Sequence, residues 1–595
     1  MAISAGDLGF DPAVLDQKYK EEREKRLRTD GNAQYVHLEG QFAHYLDDPY
    51  VERTPRAPLA EDVEVLVLGG GFGGLLVGAR LRQAGIEDVR IVEKGGDFGG
   101  TWYWNRYPGA ACDVESYIYL PLLEEVGYMP TEKYARAPEI FEYAKAIGRK
   151  FDLYRGALFQ TKITEVAWDQ AIGRWRVKTD RDDQLRVRYL VMCPGHYADP
   201  KLPGIPGIES FKGHSFHTSR WDYDYTGGDT TGGLVKLQDK TVAIIGTGAT
   251  AIQCVPHLGR WAKQLYVFQR TPSSVDVRGN HPTDPDWVKS LTPGWQRRRM
   301  DNFTALMTGI PVEDDLVRDS WTKPLFEAMQ TVPRELPDQE RAELLQLTDF
   351  KIMEGIRHRI DSVVKDKATA EALKPWYNRL CKRPCFHDDY LAAFNRPNVK
   401  LVDTAGKGVD RITEDSLVVA GQEYRVDCIV YATGFDLAAF AGLPVPVYGR
   451  GGRSLTEKWR EGARTLHGIH SHGFPNFFIL STIQSAWGSN FPHMMDEQAR
   501  HISYVIKEVR DRGAQIEEVT EDAENAWVAL HEQYSEFMLR IWAQCTPSYF
   551  NNEGHPSPVI ARNGGFGAGV PAMVDILSKW RDAGALEGLA LDRSA

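Results

Sequence analysis

A short apolar run, Val63 to Leu68, stops at glycines, passes into a helical stretch from Leu75 to Ala84, and is followed by a second apolar run, Val89 to Val92, that closes on Glu93. Strand, turn, helix and strand in that order predict a β-α-β unit. The same grammar returns at Thr241 to Ile245, the turn at Gly246, the helical stretch Ala251 to Trp261, and the strand Leu265 to Phe268 that ends at Gln269 and Arg270. The pattern predicts an α/β chain with two Rossmann-like dinucleotide-binding domains.

The rest of the chain arranges itself around these two units. Between about Asp284 and Trp376 the pattern turns helical, with Leu345, Ile352, Ile356, Ile360 and Val364 near helical spacing, and reads as an insertion in the second domain. A later strand, Arg425 to Tyr431, ends in Ala432-Thr433-Gly434 and is expected to complete the sheet of the first domain, which is then discontinuous. The expected divisions are an N-terminal extension over 1–61, a first domain over 62–210, a second over 211–395 with its insertion at 284–376, and a return to the first over 396–595. The extension holds a charge-dense stretch, Lys18 to Arg28, read as a solvated helix lying on the molecule. Near the end, 546–569 is rich in Gly, Pro and Asn and reads as a mobile loop, before a last helix with Met573, Ile576, Leu577 and Trp580.

A chain of 595 residues exceeds what one core usually organises, so two or three subdomains are expected. Its 42% hydrophobic and 26% charged residues are ordinary for a soluble enzyme. The net charge of -11 argues against a nonspecific nucleic-acid binder, which needs a neutralising basic surface. Seven scattered cysteines without a C-x-x-C pair suit a reducing compartment. No segment approaches the roughly 18 uninterrupted apolar residues of a spanning helix, and no signal-like start is present. The expectation is a cytoplasmic protein without membrane attachment, monomeric or a small homo-oligomer.

The turns carry the chemistry. In Gly69-x-Gly71-x-x-Gly74 the first glycine permits the bend, the second lets the backbone approach a pyrophosphate, and the third lets helix and strand pack. Glu93 ends the next strand at the spacing of a ribose 2′-hydroxyl acceptor. The second turn, Gly246-x-Gly248-x-x-Ala251, leads instead to Arg270 and Thr271. A carboxylate there would repel a 2′-phosphate, whereas a guanidinium can hold one, so the second site implies NADPH. The bland alternative is that Arg270 is a surface charge. A third segment, Gly99-Gly100-Thr101-Trp102 followed by Tyr107-Pro108-Gly109 and Asp113, suits a loop over a flat ring system, although core packing would also explain its aromatics.

Between the two turns Phe211, Gly213, His217, Trp221 and Asp222 spell F-x-G-x-x-x-H-x-x-x-W-D. With the Gly99 to Asp113 segment, this pattern resembles that of the class B flavin monooxygenases, and within them the type I Baeyer-Villiger monooxygenases, over roughly residues 60 to 585. The Trp221-Asp222 ending separates that group from relatives that oxygenate sulfur or nitrogen, which is the alternative activity.

The resemblance implies FAD in the first domain, NADPH in the second, and conversion of a ketone to an ester or lactone with O₂ through oxygen added at the flavin C4a. It places the catalytic cation at Arg383, oriented by Asp113, with Lys382 beside Arg270 and Thr271 at the NADPH 2′-phosphate. A plain surface pair is the alternative for Lys382 and Arg383. His217 takes a structural and hinge role. His387 and Asp388 near Cys385 have no zinc-like ligand spacing, so no metal is expected. Many members of the family carry a tryptophan shortly after a cysteine in the loop near the site; here Ser548 follows Cys545 and implies a pocket for bulky, large-ring or polycyclic ketones, as in the subgroup around cyclopentadecanone monooxygenase.

Overall fold

The computed structural model describes residues 9–195, 197, 199–331, 338–436 and 443–593. Residues 1–8 of the expected extension and 332–337 of the expected insertion lie outside the described residues. Two parallel-rich sheets form the α/β frame, and their central strands are the near-continuous apolar runs that burial on both faces demands. Val65, Leu66 and Val67 have no exposed surface, nor do Val242, Ala243 and Ile244.

The first sheet runs in the order Val447–Tyr448, Ile163–Asp169, Arg174–Thr179, Gln184–Met192, Ala60–Leu68, Val89–Val92 and Ala157–Leu158. Phe477–Ile479 pairs in parallel with the end of Gln184–Met192. The second is an all-parallel sheet in the order Val399–Asp403, Gln264–Gln269, Thr241–Ile245, Cys428–Tyr431 and His214–His217. The helices Phe72–Gln83 and Ala249–Trp261 follow the first strand of each β-α-β unit.

Two strands from the expected return over 396–595 sit elsewhere than their sequence suggested; the first, Val399–Asp403, pairs with Leu265 to Gln269 in the second sheet. Arg425 to Tyr431 is split: Gln422–Arg425 belongs to a small antiparallel sheet, and Cys428–Tyr431 pairs with Val242 to Ile245 in the second sheet, not the first. An apolar run specifies burial but not its partner, and both sheets offered a parallel neighbour. Residues that return to the first sheet are Val447–Tyr448 and Phe477–Ile479.

The helical region contains Trp295–Met307, Lys323–Thr331 and Asp338–Val363. Ile356, Ile360 and Val364 are buried as the periodicity requires, but Leu345 is 55% exposed. The buried part of the long helix begins nearer Phe350, which packs edge-on against Tyr19 with ring centres 5.4 Å apart. Tyr19 belongs to the helix Pro12–Glu24, whose start is capped by Asp11 accepting from the Ala13 N–H. Thus the charge-dense extension is tied to the second unit by an apolar face: Leu15, Tyr19 and Phe350 share a cluster.

Two of the seven scattered cysteines are paired. Cys381 and Cys545 form a disulfide across 164 residues with Cα atoms 5.0 Å apart, and the other five cysteines are buried. Pairing depends on spatial approach, which spacing along the chain does not reveal. Among the described residues, no helix is long and apolar enough to cross a membrane.

Candidate functional site

The first glycine turn is held by steric necessity. Gly69 has φ of 103°, and a Cβ on Gly74 would fall 1.8 Å from the Gly69 carbonyl oxygen. A Cβ on Gly100 would meet the Gly71 Cα at 2.6 Å, so the turn and the Gly99–Thr101 segment press backbone to backbone. Glu93 is buried, and its two carboxylate oxygens accept from the Gly70 and Gly95 N–H groups, each at 2.7 Å. Burial raises its pKa against the pull of those two amides. Thr101 begins a helical turn that includes Trp102, whose indole N–H donates to the Tyr119 hydroxyl at 3.1 Å.

The segment Phe211 to Asp222 forms the edge strand of the second sheet and its following turn. His217, with no exposed surface, ends the strand opposite Tyr431. Its Nδ1 accepts from the Ser219 N–H at 3.2 Å, and burial, reinforced by Arg220, lowers its pKa to about 3. It is a neutral ring at physiological pH. Trp221 is buried and donates to Thr226 Oγ1, while Asp222 accepts from the Tyr225 N–H and pairs with His214 Nε2 at 2.9 Å. Phe211 and Gly213 pack together at the strand's entrance, where a Gly213 Cβ would strike the Phe211 ring at 2.4 Å.

A cavity of about 840 Å³ opens between the units. Thr101 and Trp102 border it from one side; Gly246, Gly248, Arg270, Thr271, Lys382 and Arg383 border it from the other. Gly69, Gly71, Gly74 and Glu93 do not line it. Asp113 lies behind Arg383, 3% exposed, and accepts from both terminal nitrogens of the guanidinium at 2.5 and 2.9 Å. Trp321 fixes the Asp113 backbone by donating its indole N–H to the carbonyl at 2.7 Å. Burial works against the Arg383 charge, but Asp113 more than offsets it and holds the guanidinium pKa well above its ordinary value. The result is a permanent cation facing the cavity.

Second-site residues fit a phosphate-bearing nucleotide. The Thr271 hydroxyl is buried with no hydrogen-bond partner among the described residues. Burial above all, and then the nearby Arg270 charge, push Lys382 down to about 8. Gly248 caps the helix Ala249–Trp261, and a Cβ there would meet nothing within 4 Å, so its amide end is open to the cavity. At the first turn the close glycine approaches follow the spacing that suits a pyrophosphate.

The segment after Cys545 begins with several buried residues. Thr546, Ser548, Asn551 and Glu553 are all buried. Ser548 borders the cavity, yet its hydroxyl donates to the Cys381 carbonyl at 3.0 Å, which ties the loop to the segment that carries Lys382 and Arg383. Aromatics that the sequence did not single out supply the apolar wall. Tyr549 bonds to Tyr197 near Arg383, and Phe550 packs edge-on against Trp487 at 5.1 Å. Also missed were Gln34, Tyr35 and Glu553, which surround Arg270. They lie hundreds of residues from it along the chain, and no local pattern marks them.

Comparison with known proteins places this geometry in company. Residues 63–286 match the family model described as flavin-binding monooxygenase-like. The chain is 51% identical to neopentalenolactone D synthase of Streptomyces avermitilis over 591 residues, covering 98% of this chain and 99% of that one. It is similar to the polycyclic ketone monooxygenase from the thermophilic fungus Thermothelomyces thermophila, with a TM-score of 0.92, 40% identity, and coverage of 98% and 99%. It is also similar to an oxidised steroid monooxygenase bound to NADP, with a TM-score of 0.72, 30% identity, and coverage of 90% and 100%.

Proposed function

We propose, for a chain that belongs to the flavin-binding monooxygenase-like family and within it to the type I Baeyer-Villiger monooxygenases, that the cavity faced by Arg383 takes bulky, polycyclic or large-ring ketones. The enzyme is flavin-dependent, uses NADPH and O₂, and converts ketones to esters or lactones. Its cofactors are FAD and NADP. When bound, FAD would supply the redox chemistry that activates O₂, with NADPH as the reductant.

The residues divide the remaining work. Gly69, Gly71 and Gly74 with the start of helix Phe72–Gln83 hold the FAD pyrophosphate, and Glu93, already bracing that turn, has lone pairs left for the ribose. Thr101 and Trp102 line the flavin side. Gly246 and Gly248 hold the NADPH pyrophosphate, and Arg270, Thr271 and Lys382 hold its 2′-phosphate. Arg383 offers a fixed positive charge to the negative charge that develops at the reacting oxygen, as oxyanion-hole donors do. Asp113 keeps both guanidinium prongs in one orientation, so no reorganisation is required at the moment of reaction. His217, Trp221 and Asp222 shape the edge of the second sheet as a structural and hinge segment. Tyr549, Phe550 and Trp487 give the cavity an apolar wall.

The observation that carries the reading is Arg383, held by the buried Asp113 and facing the same cavity as Arg270 and Lys382. For the substrate class, the support is Ser548, whose small side chain turns to the Cys381 backbone rather than filling the cavity. The test is kcat/KM for cyclohexanone, cyclopentadecanone and a steroid ketone. A tenfold advantage for cyclohexanone, about 1.4 kcal/mol in transition-state binding, would overturn the bulky-ketone assignment.

A further inference from the structure

Glu553 is a carboxylate where the proposed phosphate site wants an anion. Its side chain is 5% exposed, and one oxygen accepts from Arg270 Nη2 at 3.1 Å. The other accepts from the Tyr35 hydroxyl at 3.1 Å, while Arg270 Nη1 donates to Gln34 Oε1 at 2.5 Å. Burial opposes its charge, but Arg270, Lys201 and Lys382 together lower its pKa, so it is ionised at neutral pH. Glu553 is also held in an uncommon backbone conformation: φ is 54°, and Asn552 before it has φ of 52°. Non-glycine residues keep the left-handed region only where their surroundings compensate, and two in succession mark a segment held in place by its contacts.

Some of those contacts are internal, the Glu553 N–H donating to the Ser548 carbonyl at 2.8 Å, and others come from the N-terminal extension. Asn32 Nδ2 donates to Asn552 Oδ1 at 2.5 Å, and His555 Nε2 lies 2.6 Å from the Arg28 carbonyl. Upstream the segment is anchored separately, by the Cys381–Cys545 bridge and by Asn551, whose amide donates to the Trp542 and Cys545 carbonyls.

We propose that Glu553 is an internal stand-in for the 2′-phosphate: it occupies Arg270 until NADP(H) binds, and its displacement loosens the clasp between residues 552–555 and residues 28–35 of the extension. The inference rests on the reading of Arg270 and Lys382 as the 2′-phosphate site. A carboxylate and a phosphate both seek the same guanidinium fork, and two anions sharing it repel each other, so binding one expels the other. The phosphate, with close to two negative charges, wins the cation cluster from a single carboxylate. NAD(H), which has a hydroxyl there, leaves the latch closed. Glu553 thus restrains affinity for the phosphorylated cofactor while making its binding visible at the surface of the extension.

The test measures NADP⁺ and NAD⁺ dissociation constants by calorimetry on the FAD-loaded wild type, Glu553→Gln, Tyr35→Phe and Arg270→Ala. Amide hydrogen exchange is followed over 28–36 and 549–556. Glu553→Gln should bind NADP⁺ about tenfold more tightly with NAD⁺ unchanged, the size expected from removing one competing charge-assisted bond. Tyr35→Phe, a milder change that guards against a folding defect, should tighten NADP⁺ two- to threefold. In the wild type NADP⁺ should speed exchange in both segments and NAD⁺ should not. If Arg270→Ala weakens NADP⁺ while neither Glu553→Gln nor Tyr35→Phe tightens it, the latch is overturned and the phosphate site stands. If Arg270→Ala binds NADP⁺ like the wild type, the phosphate-site reading itself fails, and the latch with it.

Discussion

Arg383 and Asp113, 270 residues apart in the chain, meet through two parallel hydrogen bonds of 2.5 and 2.9 Å at the wall of the interdomain cavity. A guanidinium gripped by both oxygens of a buried carboxylate cannot swing, and it cannot lose its proton at any pH the enzyme meets. The pair turns a flexible side chain into a fixed charge.

Replacing Arg383 with Ala should leave NADPH able to bleach the flavin while ester formation falls about 10²- to 10³-fold. Stopped-flow absorbance read beside product yield by gas chromatography separates the two stages. Asp113→Ala should show the same split more weakly, because the cation remains but its orientation is lost. A normal ester yield from Arg383→Ala would remove the residue from the reaction.

Affinity for NADP⁺ should fall between pH 7 and pH 9. Burial and Arg270 lower Lys382 to about 8, so its amine is charged and able to pair with a 2′-phosphate below that pH and neutral above it. NAD⁺ titrated over the same range is the control and should show little change. Lys382→Arg, which keeps its charge throughout, should flatten the NADP⁺ profile; a wild-type profile that is already flat would contradict the assignment.

Removing the disulfide should destabilise the protein. A bridge spanning 164 residues restricts the unfolded chain, and such cross-links commonly contribute about 2 to 4 kcal/mol. Cys545→Ser should lower the thermal midpoint, and dithiothreitol should lower that of the wild type while leaving the variant unmoved. Equal midpoints for reduced and oxidised wild type would show that the bridge adds nothing.

Ser548→Ala should lower stability without reordering the ketones. The hydroxyl spends its hydrogen bond on the Cys381 carbonyl, and its loss costs about 0.5 to 1.5 kcal/mol. A midpoint drop with kcat/KM ratios among cyclohexanone, cyclopentadecanone and a steroid ketone held within threefold is the expected outcome. A large shift in those ratios would mean that the hydroxyl itself touches substrate.

What the sequence determined by itself is local and periodic. The apolar runs at Val63 and Thr241, each ended by spaced glycines, specify strand, turn and helix because only that order buries the runs and leaves amides free at the helix start. The exchange of an acid for Arg270 reads directly as charge chemistry. Tertiary structure decided everything that depends on which distant segments meet. Cys428–Tyr431 joined the second sheet because a buried strand pairs with whichever neighbour the crossovers bring alongside, and its apolar residues are the same in either sheet. Cys381 found Cys545, and Tyr35 found Glu553 and through it Arg270, because folding closes loops of hundreds of residues whose ends carry no mutual signature in the sequence. Hydrophobic period and glycine spacing act over a few residues; ion pairs, disulfides and cavity walls act over a few ångströms, and only the folded chain makes the two coincide.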